Sequence, residues 1–141
     1  MKKFLYLSLI VVFGSAVLFS GCKKYADGPV FSLATKKGRV VNTWKMEKMI
    51  ENGTDVTATL ATFMANFSIE FKSDNTYLET GGGSSAETGT WDFDSKKAYI
   101  VTTPNGSSSA NRAEILRLKS NEMWLKTTDG NDTSEIHYVS K

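Results

Sequence analysis

Phe67-Ser68-Ile69-Glu70-Phe71-Lys72 alternates apolar and polar side chains without a break, and Ser73-Asp74-Asn75-Thr76 follows it. Successive side chains of an extended chain point to opposite faces, so this is the pattern of a strand with one face buried and one in water. The Asp-Asn turn reverses the chain into Tyr77 to Thr80 and makes a hairpin. Downstream, Gly81-Gly82-Gly83-Ser84-Ser85 is a flexible connection. Gly89-Thr90-Trp91-Asp92-Phe93 and Tyr99-Ile100-Val101-Thr102 then flank a turn at 94–97, and a polar loop runs from Pro104 to Asn111. Ala113 to Leu118, Met123 to Thr127 and Ser134 to Val139 read as three more strands, joined by Ser120-Asn121 and by Thr128-Asp129-Gly130-Asn131-Asp132.

Upstream, Val40 to Ile50 places Trp44, Met46 and Ile50 on one period-2 face. Leu60, Phe63, Met64 and Phe67 are spaced by three and four, and Ala58, Ala61 and Ala65 are good helix formers, so 55–66 predicts a short amphipathic helix between strands one and two. About eight strands result. A single flat sheet would leave Trp44/Met46, Phe67/Ile69/Phe71, Trp91/Phe93 and Met123/Leu125 without a facing layer. Closure of the sheet on itself supplies that layer and removes both exposed edges. The fold class is therefore all-β, an antiparallel up-and-down barrel.

The chain has 141 residues, 40% hydrophobic and 23% charged, which suits one globular domain. Its 17 basic and 15 acidic residues leave no strong charge of the kind a dedicated nucleic-acid binder carries, and no nucleic-acid partner is expected. A single Cys makes no internal disulfide, and one His with one Cys supplies too few soft ligands for most transition-metal sites.

Residues 1–21 have the form of an export signal: Lys2-Lys3, an apolar run from Phe4 to Phe19, then Ser20-Gly21. The run is shorter than the roughly 20 residues a spanning helix needs. Leu18-Phe19-Ser20-Gly21-Cys22 resembles the bacterial lipobox, with Phe19 where Leu is usual and Leu18 one position further back. The resemblance implies a diacylglyceryl group on Cys22, which becomes the mature N-terminus, so that acyl chains attach the protein to the membrane. Loss of Lys2 and Lys3 takes the 17 basic residues to 15, equal to the 15 acidic ones. Residues 22–39, with five basic residues, Gly28, Pro29 and Gly38, read as a tether and 40–141 as the barrel domain. Lys23-Lys24 directly after the Cys favour the periplasmic face of the outer membrane over surface display.

Lys36-Lys37-Gly38-Arg39-Val40-Val41-Asn42-Thr43-Trp44-Lys45 and Gly89-Thr90-Trp91-Asp92-Phe93 together make the mature chain similar to the lipocalin-like lipoproteins of Bacteroidetes-type bacteria. Lipocalins open their first strand with Gly-x-Trp, where this chain has Asn42-Thr43-Trp44. They also pack an Arg of the last strand over that Trp; Arg112 and Arg117 are the two candidates for that place here. The resemblance implies a monomeric barrel that holds a small apolar ligand. Trp44, Met46, Phe71, Trp91, Phe93, Tyr99 and Met123 are the expected lining, and the same residues would equally make an ordinary core. A barrel filled by its own side chains would instead suit an interaction or scaffold module of the envelope.

Nothing in the chain forms a catalytic signature. His137 alternates with Ile136 and Tyr138 and is expected on the polar face of the last strand. Gly81-Gly82-Gly83 lacks the Lys-Ser/Thr ending of a phosphate loop, and no Gly-x-Ser-x-Gly occurs. Asp129-Gly130-Asn131-Asp132 reads as a hairpin turn before a cation loop. Asn52-Gly53-Thr54 and Asn105-Gly106-Ser107 would accept glycans only in eukaryotic secretion. No enzymatic activity, metal or cofactor is expected.

Overall fold

The computed structural model describes residues 34–83 and 85–141. The export segment, Cys22 and the tether up to residue 33 lie outside the described residues. Helix α1 (Lys36–Val40) is followed by β1 (Asn42–Glu51), β2 (Thr54–Asp55), helix α2 (Ala61–Asn66), β3 (Ser68–Phe71), β4 (Thr76–Thr80), β5 (Glu87–Phe93), β6 (Tyr99–Pro104), β7 (Asn111–Leu118), β8 (Glu122–Asp129) and β9 (Asp132–Ser140). Each strand from β3 to β9 pairs antiparallel with the next, β1 pairs with β3, and β9 returns to β1. The sheet is therefore a closed eight-stranded barrel, with β2 as a short hairpin arm on β1. The eight strands expected from alternation are all present. The helix of 61–66 lies between the first two strands of the barrel wall, and β2 precedes it.

Parity along the strands sets what fills the barrel. Trp44, Ile69, Phe71, Tyr77, Trp91, Ile100, Ile115, Leu118, Met123, Leu125 and Tyr138 share the buried inner face, and Val40 of α1 closes the cluster. Trp44 is fully buried and its Nε1 donates to the Val40 carbonyl at 2.8 Å, so the indole tip is satisfied without water. Trp91 Nε1 donates to the Lys72 carbonyl at 3.1 Å, and the Phe71 and Phe93 rings meet Trp91 edge-on at 5.3 and 5.7 Å.

Two bulges break the simple alternation. The register of β1 against β9 shifts between Met46 and Lys48, so Met46 opposes Tyr138 and Met49 opposes Ile136. An extra residue flips every side chain beyond it. Ile50, expected on the face of Trp44 and Met46, consequently opposes Glu135 on the outer face. A second shift in β7, between Ile115 and Arg117, returns Leu118 to the interior opposite Met123.

The β1–β2 turn is Asn52-Gly53, with φ of 49° and 79°. Positive φ at both central residues is the geometry that matches the strand twist of a tight hairpin, and Asn-Gly is its strongest local signal. Gly89 has a different reason to lack a side chain: a Cβ there would lie 2.2 Å from the Thr103 carbonyl oxygen and 2.6 Å from Tyr77 Cε1. The Tyr77 ring occupies that place. No described helix is long and apolar enough to cross a membrane.

Candidate functional site at the open end of the barrel

One end of the barrel is shut. Helix α1 lies across it, with Arg39 Nη1 donating to the Leu118 carbonyl at 3.4 Å and Lys37 Nζ reaching the Asn75 side chain. Below α1 the large side chains Val40, Trp44, Phe71, Trp91, Leu118 and Met123 pack without exposure above 2%. Towards the other end the inward residues become smaller and more polar, and a cavity of about 270 Å³ opens there. That is just under the range of about 300–1,000 Å³ typical of small-molecule sites. Ile69, Phe71, Ile100 and Leu125 form its apolar side, Ala113 leaves room, Glu79, Thr102, Asn111, Thr127 and Tyr138 supply polar groups, and Arg112 borders it while its guanidinium lies over Tyr99.

Of the seven residues expected to line a ligand site, Phe71 borders this cavity. Trp44, Trp91 and Met123 lie in the packed end, with Met46 and Phe93 half-buried against them. Tyr99 is on the other side of the wall. Ile100 takes the inward place, so Tyr99 opposes Glu114 on the outer face, and Arg112 stacks 4.1 Å over its ring. The aromatic residues mark where the barrel is filled; the space lies where Ala and Thr replace them.

Arg112 and Arg117 both point outward, and neither reaches Trp44. Arg112 also sits 3.5 Å from Asp94. Arg117 lies 4.6 Å over Trp124, whose other face stacks on His137 at 4.0 Å and 3°. Its Nε is 2.6 Å from Glu122 Oε2, an ion-pair contact without hydrogen-bond alignment. His137 is on the outer face as expected, stacked on Trp124 and within hydrogen-bond distance, 2.6 Å, of Glu135 Oε1.

Glu79 is the residue the alternation should have flagged and did not. It follows Tyr77 at period two, so it must face inward with it, and an inward carboxylate is a rare object. Burial raises its pKa, and the nearby Glu87 carboxylate adds to the effect. Glu87 accepts a hydrogen bond from the Tyr77 hydroxyl at 2.6 Å. Tyr138 is 6% exposed and its hydroxyl has no hydrogen-bond partner among the described residues. Burial, and secondarily Glu79, push its pKa up, so it stays a neutral phenol.

Charge divides along the barrel axis. Around the shut end the segments 35–40, 72–75, 94–98 and 119–121 carry Lys36, Lys37, Arg39, Lys72, Lys96, Lys97 and Lys119 against Asp74 and Asp94. Around the mouth, segments 51–66, 80–87, 104–111 and 128–133 carry Glu51, Asp55, Glu87, Asp129 and Asp132 and no Lys, Arg or His. Among the described residues, no group of three or more His, Cys, Asp or Glu side chains could hold a metal ion.

Comparison with known proteins agrees with this geometry. Residues 40–125 match the family model described as a lipocalin-like domain. The chain belongs to the lipocalin-like domain family. A solved structure of a DUF4847 family protein from Bacteroides vulgatus ATCC 8482 is similar in fold, with a TM-score of 0.52 at 17% identity, over 72% of this chain and 94% of that one. No curated protein matches. The lipocalin-like barrel here has a filled base and a small open chamber, an architecture suited to holding one small molecule.

Proposed function

We propose that this lipocalin-like protein is a lipid-anchored, non-catalytic binder of one small, largely apolar molecule, working on the periplasmic face of the outer membrane. The observation that carries the reading is the 270 Å³ chamber bordered by Ile69, Phe71, Ile100 and Leu125 inside an otherwise close-packed barrel. A chamber that opens at the mouth and is walled on one side by apolar residues offers a ligand apolar surface to bury. The anchor rests on the lipobox-like Leu18-Phe19-Ser20-Gly21-Cys22. The chain enters the barrel at the α1 end, so an anchor at Cys22 leaves the mouth at the end remote from the attachment point.

The Trp emission of the chain from residue 22 onward, carrying Cys22→Ser to keep it soluble, tests the binding. Trp91 contacts Phe71, which borders the chamber. Titration with a panel of apolar molecules of about ten heavy atoms is expected to give at least one saturable change, removed by filling the chamber with Ala113→Leu. No saturable change across the panel overturns the reading. For the anchor, intact mass of the protein isolated from bacterial membranes is expected to show acyl groups on Cys22, and an unmodified residue 22 refutes it.

A further inference from the structure

We propose that the bound molecule is a small cation: an apolar body carrying a protonated amine, with the ammonium held at Glu79 and the Tyr138 hydroxyl. The inference rests on the reading of the chamber as a ligand site and names the chemistry of its occupant. Glu79 faces inward and has no cationic partner among the described residues. A partly desolvated carboxylate without a counter-charge is costly to keep ionised, and an ammonium brought in by a ligand offsets that cost.

Three further features point the same way. Tyr138 borders the chamber, its hydroxyl is not sealed off in the core, and its oxygen can accept an N–H. Phe71 borders the same space, and the face of an aromatic ring favours a cation over an anion. The loops around the mouth carry only acidic charges, of which Asp55 is paired with Lys48; the remaining Glu51, Glu87, Asp129 and Asp132 outnumber the nearby Arg112 and draw cations towards the opening. The nearest guanidinium, that of Arg112, is on the outer wall, stacked on Tyr99 and beside Asp94. Arg112 borders the chamber, but its guanidinium is already committed to the Tyr99 ring and Asp94 rather than turned to a ligand headgroup.

Volume limits the body to a short chain or a single ring. The test is isothermal titration of the Cys22→Ser mature chain with three probes of one shape: 2-phenylethylamine, 2-phenylethanol and 3-phenylpropanoate. The amine is expected to bind at least tenfold tighter than the alcohol, with the carboxylate weakest. Glu79→Gln is expected to weaken the amine at least tenfold and leave the alcohol unchanged; Tyr138→Phe is expected to weaken the amine by a smaller factor. An alcohol as tight as the amine, a carboxylate tighter than either, or full amine affinity in Glu79→Gln overturns the cation preference while the chamber still binds. Silence from all three probes also overturns it, and the wider Trp-emission panel then decides separately whether the chamber binds anything.

Discussion

The two ends of this barrel are built from the same alternation and do opposite things. At the α1 end the inward positions hold Trp44, Phe71, Trp91, Leu118 and Met123, and packing leaves none of them exposed above 2%. At the mouth the same inward parity delivers Glu79, Thr102, Ala113 and Thr127, and a chamber remains. The difference lies in side-chain volume and polarity, since strand number and pairing are continuous from one end to the other. Stability is concentrated at the base, which frees the mouth to carry groups that would be poor core residues.

That division can be broken most forcefully at the base. Trp44→Ala removes the largest fully buried side chain and its hydrogen bond to Val40, and is expected to cost about 3–5 kcal/mol in denaturant unfolding. The matching truncation at the mouth, Thr127→Ala, removes an exposed cavity-bordering side chain and should stay within about 0.5 kcal/mol. Equal losses at the two positions would show that the mouth is as much a part of the core as the base. A smaller effect is expected from Gly89→Ala, where the new methyl meets the Thr103 carbonyl and the Tyr77 ring; overpacking of this kind costs about 1–3 kcal/mol. Asn52→Ala places a β-carbon-bearing residue without a compensating amide at φ 49°, and loses the bond Asn52 donates to Asp132 and the one it accepts from the Thr133 N–H. About 1–2 kcal/mol is expected there, read from the same unfolding curves.

The base was legible in the sequence and the mouth was not, for a physical reason. Large apolar side chains at period two announce a buried face, so Phe67 to Lys72 and Trp91 to Phe93 identified their strands and their core directly. A chamber is defined by what is small, and Ala113 or Thr102 carries no signal of its own. The assignment of Ile50 and Tyr99 to the interior failed at the level of register. In β1 the cause is a bulge after Met46, which leaves no mark in hydrophobicity. In β6 Tyr99 and Ile100 are both apolar enough to face inward, only one of two adjacent residues can, and it is Ile100, 2% exposed, that does. Asn52-Gly53, read only as part of a glycan acceptor triplet, already carried the hairpin signal that sets β2.

Glu79 offers the finest test of the contrast, because it is the one place where the interior pays for function. Its folded-state pKa is raised by burial and by Glu87, so the fold prefers the protonated carboxyl. The groups around it are Glu87 on the neighbouring strand, Tyr77 on its own and Tyr138 across the chamber, none of them cationic; Arg112 borders the same chamber with its guanidinium held at Tyr99 and Asp94. The sign follows from linkage. Below the ordinary Glu range the carboxyl is protonated in both states and Glu79 carries no penalty; as pH rises through the raised folded value, the unfolded chain gives up its proton first and stability falls. Glu79→Gln, which is neutral throughout, should therefore be more stable than the parent at pH 7, with the gain shrinking as the pH is lowered towards 4. Thermal unfolding of the two proteins between pH 4 and pH 8 measures it. If Glu79→Gln is instead less stable at pH 7, the carboxylate is holding the mouth together and the interior has no place waiting for a ligand's charge.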